Sequence, residues 1–294
     1  MKKSEITKRE AKWGMLFLSP SLVLIIVFSL LPIVASLVLS FTDYNVLSAP
    51  KWCGIQNYLR MLDDPFVKAS LKNTLIYTAI TVPLQTIVSL VLAAVIAEFF
   101  RDRFGNFVKS SLFVPVIASS ALVGVVWSML LSSRGPVNEL LNLFGVESVN
   151  WLTGDLRPLL VVGFVNVWKD VGYFMVIFYA GILNIPRNLY EAAQVDGAGS
   201  LQCFFHITIP NLKAITYLAL TLGTIWTFQT FDLVQVMTGG GPGTSTTTLV
   251  LTIYRSAFKE YRMGYASAIA VLLLVFILLL SFLQKCLLKG GKEE

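Results

Sequence analysis

At 294 residues the chain is long enough for one or two soluble domains, but its composition excludes an ordinary soluble fold. Hydrophobic residues make up 55% and charged residues 14%, against about 25% charged in a typical soluble protein. The formal net charge of +6 does not point to nucleic acid, because the basic residues form no stripe with interleaved aromatics and sit instead between long apolar runs.

A membrane-spanning helix needs about 20 mostly apolar residues. Six stretches meet that, at roughly 14–40, 73–98, 110–131, 158–182, 213–237 and 264–286. The expected fold is therefore an all-α polytopic membrane protein with six transmembrane helices. Residues 1–13 form a basic leader containing Lys2, Lys3, Lys8, Arg9 and Lys12, residues 14–286 the membrane domain, and 287–294 a short tail. The leader resembles the start of a secretory signal, but the apolar run behind it is far longer than a signal core and no small-x-small cleavage site follows. A retained first span with a cytoplasmic N-terminus is expected. Alternation then puts Arg101, Arg103, Lys109, Arg187, Lys289 and Lys292 inside, a modest inside excess of basic residues in the direction of the positive-inside rule. Both termini are expected in the cytoplasm.

The outer loops carry elements of their own. Ile55, Tyr58, Leu59 and Leu62 follow helical spacing, as do Leu249, Ile253, Ala257, Phe258 and Tyr261. Asp64-Pro65 has the form of an N-cap followed by proline at the first helical position, opening the second span. Cys53, Cys203 and Cys286 show no metal-ligand spacing, and no pair of them is expected to share an oxidising compartment.

The cytoplasmic loop at 184–211 is too patterned to be a tether. Asn188 followed by Glu191 has capping-box spacing for a helix of about two turns. Gly197 suits the left-handed position that ends such a helix. Ser200 is placed to cap a second short helix, and Pro210 to stop it and begin the fifth span. The small side chains of Ala192 and Ala193 let another backbone approach. Such an elbow is either a docking element for a soluble partner or an interfacial helix covering the bundle.

Glu191-Ala192-Ala193, then Gly197, then Ile207-Thr208-Ile209-Pro210 resembles the E-A-A … G … I-x-L-P signature of the inner-membrane permeases of ABC importers, with Ile209 in place of the usual Leu. Gly54-x-x-Asn57-Tyr58, Asp196-Gly197-Ala198, Thr238-Gly239-Gly240-Gly241-Pro242 and Ala266-Ser267-Ala268 are similar to the carbohydrate branch, of maltose type. The resemblance covers nearly the whole chain. It implies that the loop is a coupling helix seated on an ATP-hydrolysing subunit, through Glu191, Ala192, Ala193, Asp196, Gly197 and Pro210. It also implies a second, different permease chain, two ATP-binding subunits holding ATP and Mg, and an extracytoplasmic solute-binding protein, within the lipid bilayer.

The chain carries no cofactor motif of its own. A phosphate-binding loop needs G-x-x-x-x-G-K-[ST], whereas the Gly291-Lys292 pair is followed by Glu293, and Gly239-Gly240-Gly241-Pro242-Gly243 lacks the lysine. One histidine, His206, excludes a two-histidine metal site, and no G-x-S-x-G elbow is present. The chain is therefore expected not to be an enzyme. A self-contained, ion-coupled secondary carrier is the competing reading, but such carriers show repeated halves and broken helices.

Ionisable residues inside spans mark a pathway by default. Asn166, Lys169, Asp170 and Tyr173 fall at i, i+3, i+4 and i+7, on one helical face. Trp226, Thr227 and Thr230 supply aromatic and hydroxyl groups on the fifth span, and Ser120 a hydroxyl on the third. Sugars are bound by stacking on aromatic rings and by hydrogen bonds, and this set supplies both. In the family the positions matching these residues line the cargo; Lys169 and Asp170 depart from its small or apolar types. An ion pair of Lys169 with Asp232, or a snorkelling Lys169, is the structural alternative.

Overall fold

The computed structural model describes residues 2–100 and 102–289, with side-chain environments over 11–100 and 102–286. Met1, Arg101 and the tail beyond 289, including Lys292, lie outside the described residues, as do the side chains of Lys2, Lys3, Lys8, Arg9 and Lys289. The chain divides into two compact units.

The first unit comprises the chain up to Asp63 together with Ile253–Leu272. Helix α1 (Lys2–Ile25) runs through a π turn (Ile26–Leu30) into α2 (Leu31–Leu39), so the basic leader is helical and continuous with the first span. Pro32 lies just past the π turn. Proline lacks an N–H and its ring crowds the carbonyl four residues back; the wider turn ahead of it accommodates both. None of the 18-residue apolar core of Ala11–Leu39 is buried, as suits a helix whose solvent is lipid.

At the end of α2 a minimal antiparallel pairing, β1 (Thr42–Asp43) with β2 (Lys51–Trp52), leads into α3 (Gln56–Asp63). Asn57 closes this corner: its buried amide donates to the carbonyls of Ser40 and Thr42, both at 2.9 Å. The Tyr58 and Ser40 hydroxyls lie 2.6 Å apart. Two residues of the Gly54–Tyr58 segment thus satisfy carbonyls and hydroxyls at the end of the first span.

The second unit comprises Asp64–Thr252 and Leu273 onward. Asp64 caps α4 (Pro65–Phe99), accepting from Phe66 N at 2.8 Å and Val67 N at 3.4 Å, with Pro65 at the first turn as expected. Helices α5 (Arg103–Ile117) and α6 (Ser120–Leu130) replace the straight third span expected at 110–131 and bend by 100°. Pro115 sits in the last turn of α5, Ala118 is extended, and the Ser119 hydroxyl accepts from Leu122 N at 3.3 Å, so a new helix is capped where the old one stops.

After α7 (Pro136–Leu143) comes α8 (Arg157–Leu183), the second long helix of this unit. The loop supplies α9 (Arg187–Val195), α10 (Ser200–Cys203), a π turn (Phe204–Thr208) and α11 (Ile209–Asn211), and α12 (Lys213–Phe228) follows after a 71° bend. The expected fifth span at 213–237 ends at Phe228 and resumes as α13 (Asp232–Met237); α14 (Leu249–Tyr254) and a π turn (Arg255–Lys259) lead to α15 (Met263–Lys289). Among the described residues, four helices are long and apolar enough to cross a membrane, or up to six if each bent pair is one span.

The core of the second unit lies where α8 meets α4 and α12. Phe174, Met175 and Phe178 of α8 are almost fully buried, with Ile96 of α4 and Leu212 just ahead of α12 in the same cluster. The α4 face in this packing is unusually polar: Ser70, Thr74, Thr78, Thr81, Gln85, Thr86 and Ser89 are all buried. Ser89 donates to Val171 O of α8 at 3.1 Å. Short hydroxyl-bearing side chains let helices approach closely where lipid supplies no hydrophobic drive.

Candidate transport site and coupling elbow

The elbow has the helix–glycine–helix form expected, with different chemistry at its starts. Helix α9 begins after Pro186, which stands at the N-cap with no side-chain hydrogen bond, so Asn188 lies inside the helix and is not the cap. At the other end Gly197 has φ +81°. Gly197 N donates to Gln194 O at 3.0 Å and Ala198 N to Ala193 O at 2.8 Å. This pair of bonds is a Schellman closure, which needs a left-handed residue.

The second short helix is capped by Gly199, not Ser200: Gln202 Oε1 reaches back to accept from Gly199 N at 2.9 Å. Ser200 instead hydrogen-bonds Glu98 near the end of α4. Pro210 does not stop this helix. A π turn precedes it, as at Pro32, and the chain turns at Leu212, two residues later. His206 Nδ1 lies 3.0 Å from Gln202 O, a local bond within the elbow.

Glu191, Ala192, Asp196, Gly197 and Pro210 are exposed and Ala193 half-buried, so the first arm of the elbow is accessible, whereas Thr208 is buried and Ile207 and Ile209 are half-buried. Between the elbow and the ends of α4 and α8 is a cavity of about 690 Å³, with Glu98, Tyr179, Arg187, Tyr190, Glu191 and Phe204 among its walls. Tyr190 and Thr208 hydroxyls, 2.9 Å apart, join the two arms of the elbow.

Inside the bundle, the four-residue face of α8 forms a connected group. Asp170 Oδ1 accepts from Lys169 Nζ at 3.0 Å, and its Oδ2 accepts from Asn166 Nδ2 at 3.2 Å. Both charged side chains are only 12% exposed. Lys169 thus neither pairs with Asp232 nor snorkels outward: its neighbour in sequence neutralises it locally, and Asp232 lies exposed in the first turn of α13.

Tyr173 completes this face against α12, its ring 4.9 Å from that of Trp226 and 5.3 Å from that of Phe174. Trp226 remains 37% exposed. Thr227 is buried and its hydroxyl is spent on Gly223 O and Thr224 O of its own helix; Thr230 donates to Trp226 O at 3.2 Å. Ser120 stands at the first position of α6, past the 100° bend, and no hydrogen bond joins it to the group on α8 among the described residues.

The second span also contributes to this region, which the reading of single spans missed. Tyr77, Thr81 and Gln85 share one face of α4 at i, i+4 and i+8, and all three are buried. The Tyr77 hydroxyl lies beside Thr230 and within range of the Asp170 charge. The polar spacing was visible in the sequence; its target on α8 and α12 was not.

Residues 69–290 match the family described as binding-protein-dependent transport system inner membrane component. The chain is 36% identical over 283 residues, 95% of this chain and 97% of the relative, to the probable ABC transporter permease protein YurN of Bacillus subtilis (strain 168). It is 33% identical over 282 residues, 95% and 94% of the two chains, to the trehalose/maltose transport system permease protein MalF of Thermococcus litoralis. Its fold is that of a subunit in the crystal structure of a bacterial ABC transporter involved in import of the acidic polysaccharide alginate, with a TM-score of 0.85, 22% identity and full coverage of both chains. Membership displaces the self-contained ion-coupled carrier and accounts for the elbow, which such a carrier would not need. The chain belongs to the binding-protein-dependent inner membrane permeases: it is the membrane-spanning transport subunit of an ATP-binding-cassette importer, and ATP hydrolysis belongs to a separate subunit.

Proposed function

We propose that the cargo is a carbohydrate and that it passes between α8 and α12. The observation that carries this reading is the juxtaposition of the Asn166–Asp170–Lys169 hydrogen-bonded group with the Tyr173–Trp226 ring pair. A sugar presents hydroxyls around its rim and C–H groups on its faces. A carboxylate, an amide and an ammonium address the hydroxyls, and aromatic rings address the faces. The trehalose/maltose relative supports the same cargo class.

In this mechanism a solute-binding protein delivers the sugar from outside. A second, different permease chain completes the pathway. Two ATP-binding subunits hold the elbows of the two permeases, and their closure on ATP moves the elbow as a rigid body. The spans then rock between outward-open and inward-open states. Residues 1–13 and 287–294 lie at the cytoplasmic ends.

Each of Asn166→Ala, Asp170→Ala and Tyr173→Ala is expected to slow uptake of a labelled saccharide at limiting concentration without lowering complex yield. Loss of a buried hydrogen-bonding partner costs about 1–3 kcal/mol, and each 1.4 kcal/mol is about tenfold in affinity. Stimulation of ATPase activity by the binding protein is expected to persist, because the elbow is untouched. The local Lys169–Asp170 bond favours one rival, a purely structural ion pair. It predicts that Asp170→Ala lowers yield, since Lys169 is left charged and unpaired in the span. Unimpaired uptake in all three variants would remove the site.

A second expectation concerns the division of labour. The purified subunit alone should show no nucleotide binding in a fluorescent-ATP titration, because it has no phosphate-binding loop. Saturable ATP binding by the isolated chain would contradict the assignment.

A further inference from the structure

The two arms of the elbow leave the bundle from one root: Ile185, ahead of α9, and Leu212, ahead of α12, are both buried in the core cluster of the second unit. Beyond that root the elbow and the ends of α4 and α8 enclose the cavity of about 690 Å³. Close-packed interiors transmit a displacement from atom to atom, and here that packing is missing. Tyr190 of the first arm and Thr208 of the second both line the cavity, and their hydroxyls lie 2.9 Å apart.

This bond joins positions that the chain keeps apart. Tyr190 directly precedes Glu191 and Ala192 on α9, the exposed helix assigned above to the ATPase subunit. Thr208 ends the π turn that runs through α11 into α12, the helix that carries Trp226. Along the backbone, α9 reaches α12 only around the left-handed turn at Gly197 and through α10. Thr208 is 5% exposed, so water does not readily replace the phenol as its partner. The Tyr190 ring packs against the core cluster, as a phenylalanine ring would. What tyrosine adds is the bond to the other arm.

We propose that Tyr190 is a positioning residue for energy coupling. Through Thr208 its hydroxyl makes the two arms one body, so that a movement of α9 is delivered directly to the start of α12 and not around the turn. The inference rests on the reading that the elbow seats on the ATPase subunit, and it names the contact that makes the elbow rigid.

The test uses the complete transporter with its ATPase subunits and binding protein in proteoliposomes. The probe is the labelled solute that the wild-type complex imports fastest from a panel of sugars, polyols and amino acids, so the result does not depend on the cargo class. Tyr190→Phe is expected to raise the ATP hydrolysed per solute imported about threefold or more, with complex yield within about twofold of wild type. Thr208→Val, which removes the other hydroxyl at similar shape, should do the same, and Thr208→Ser, which keeps it, should stay near the wild-type ratio. Because both substitutions break one bond, the double variant Tyr190→Phe/Thr208→Val should be no worse than the worse single variant. A smaller rise for Tyr190→Phe overturns the proposal, as does a multiplicative effect in the double variant or a Thr208→Ser ratio as high as that of Thr208→Val. A fall in yield at an unchanged ratio also overturns it, since that is the mark of a structural role. Gly197→Val, which disturbs the turn itself, runs alongside. If it raises the ratio and Tyr190→Phe does not, the assignment of Tyr190 fails alone. If neither raises it, the coupling reading of the elbow fails and takes Tyr190 with it.

Discussion

Gly172→Ala is expected to destabilise the subunit by about 2 kcal/mol net. A Cβ at this position of α8 would lie 2.1 Å from Leu112 O, 2.7 Å from Leu112 C and 3.1 Å from Phe113 Cα. All three are backbone atoms of α5, so no side chain can rotate away and the two helices must separate. Overpacking of this kind costs about 3 kcal/mol. Alanine recovers about 1 kcal/mol over glycine inside a helix, which does not offset it. Gly163→Ala on the same helix is the control. Its new Cβ would meet the Thr81 hydroxyl at 3.0 Å and the Tyr77 ring at 3.7 Å, side-chain atoms that can shift by a few tenths of an ångström. The two variants are compared by thermal melting of the detergent-solubilised complex and by yield. A melting temperature for Gly172→Ala no lower than for Gly163→Ala would show that α5 and α8 do not approach as closely as described. The consequence reaches function as well, because Gly172 adjoins Asp170 and Tyr173 on the helix that carries the proposed site.

Gly197→Val is expected to uncouple ATP hydrolysis from import while leaving the spans folded. Nothing lies within 4 Å of a Cβ built at Gly197, so space is not the obstacle. The obstacle is φ +81°. A left-handed residue with a Cβ costs on the order of 1–2 kcal/mol, and a β-branched one is a genuine outlier there. The cheapest relief is to give up the closure made by Gly197 N and Ala198 N, which turns α9 away from α10 and shifts Glu191, Ala192 and Ala193. In the reconstituted transporter, import should fall about tenfold while basal ATPase activity is retained, so that more ATP is used for each sugar moved; 1.4 kcal/mol is enough for that factor. Gly197→Asn provides the rescue, since asparagine tolerates the left-handed region far better than valine. A wild-type ratio of ATP hydrolysed to sugar imported in Gly197→Val would show that the geometry of the elbow does not govern coupling. Poor import by the asparagine variant alongside a failed valine variant would point to the loss of flexibility at Gly197 rather than to its sign of φ.

What the sequence determined by itself were the features imposed locally. Hydrocarbon requires each crossing segment to satisfy its own backbone, so long apolar runs declare themselves as helices wherever they end up packed. Asp64-Pro65 and Gly197 were legible for the same reason: a cap, a missing N–H and a positive φ are settled within four residues. The E-A-A loop was legible as an elbow because its turn is local, although its helix starts were misplaced. Pro186 rather than Asn188 stands at the N-cap of α9, and a π turn let the helix pass through Pro210. The tertiary structure decided what depends on neighbours. It broke the third and fifth spans, at Ala118–Ser119 and at Gln229–Phe231, where Pro115 with Ser119 and the polar stretch Gln229-Thr230-Phe231-Asp232 interrupt runs that are otherwise long and apolar. It paired Lys169 with Asp170 rather than with Asp232. It also brought Tyr77 of the second span to Asp170 and Thr230, and Leu112 of the third onto Gly172. Helical periodicity says which side chains share a face; only the packing of one helix on another says what that face meets, because the rotation and depth of each helix are set by its neighbours and not by its own residues.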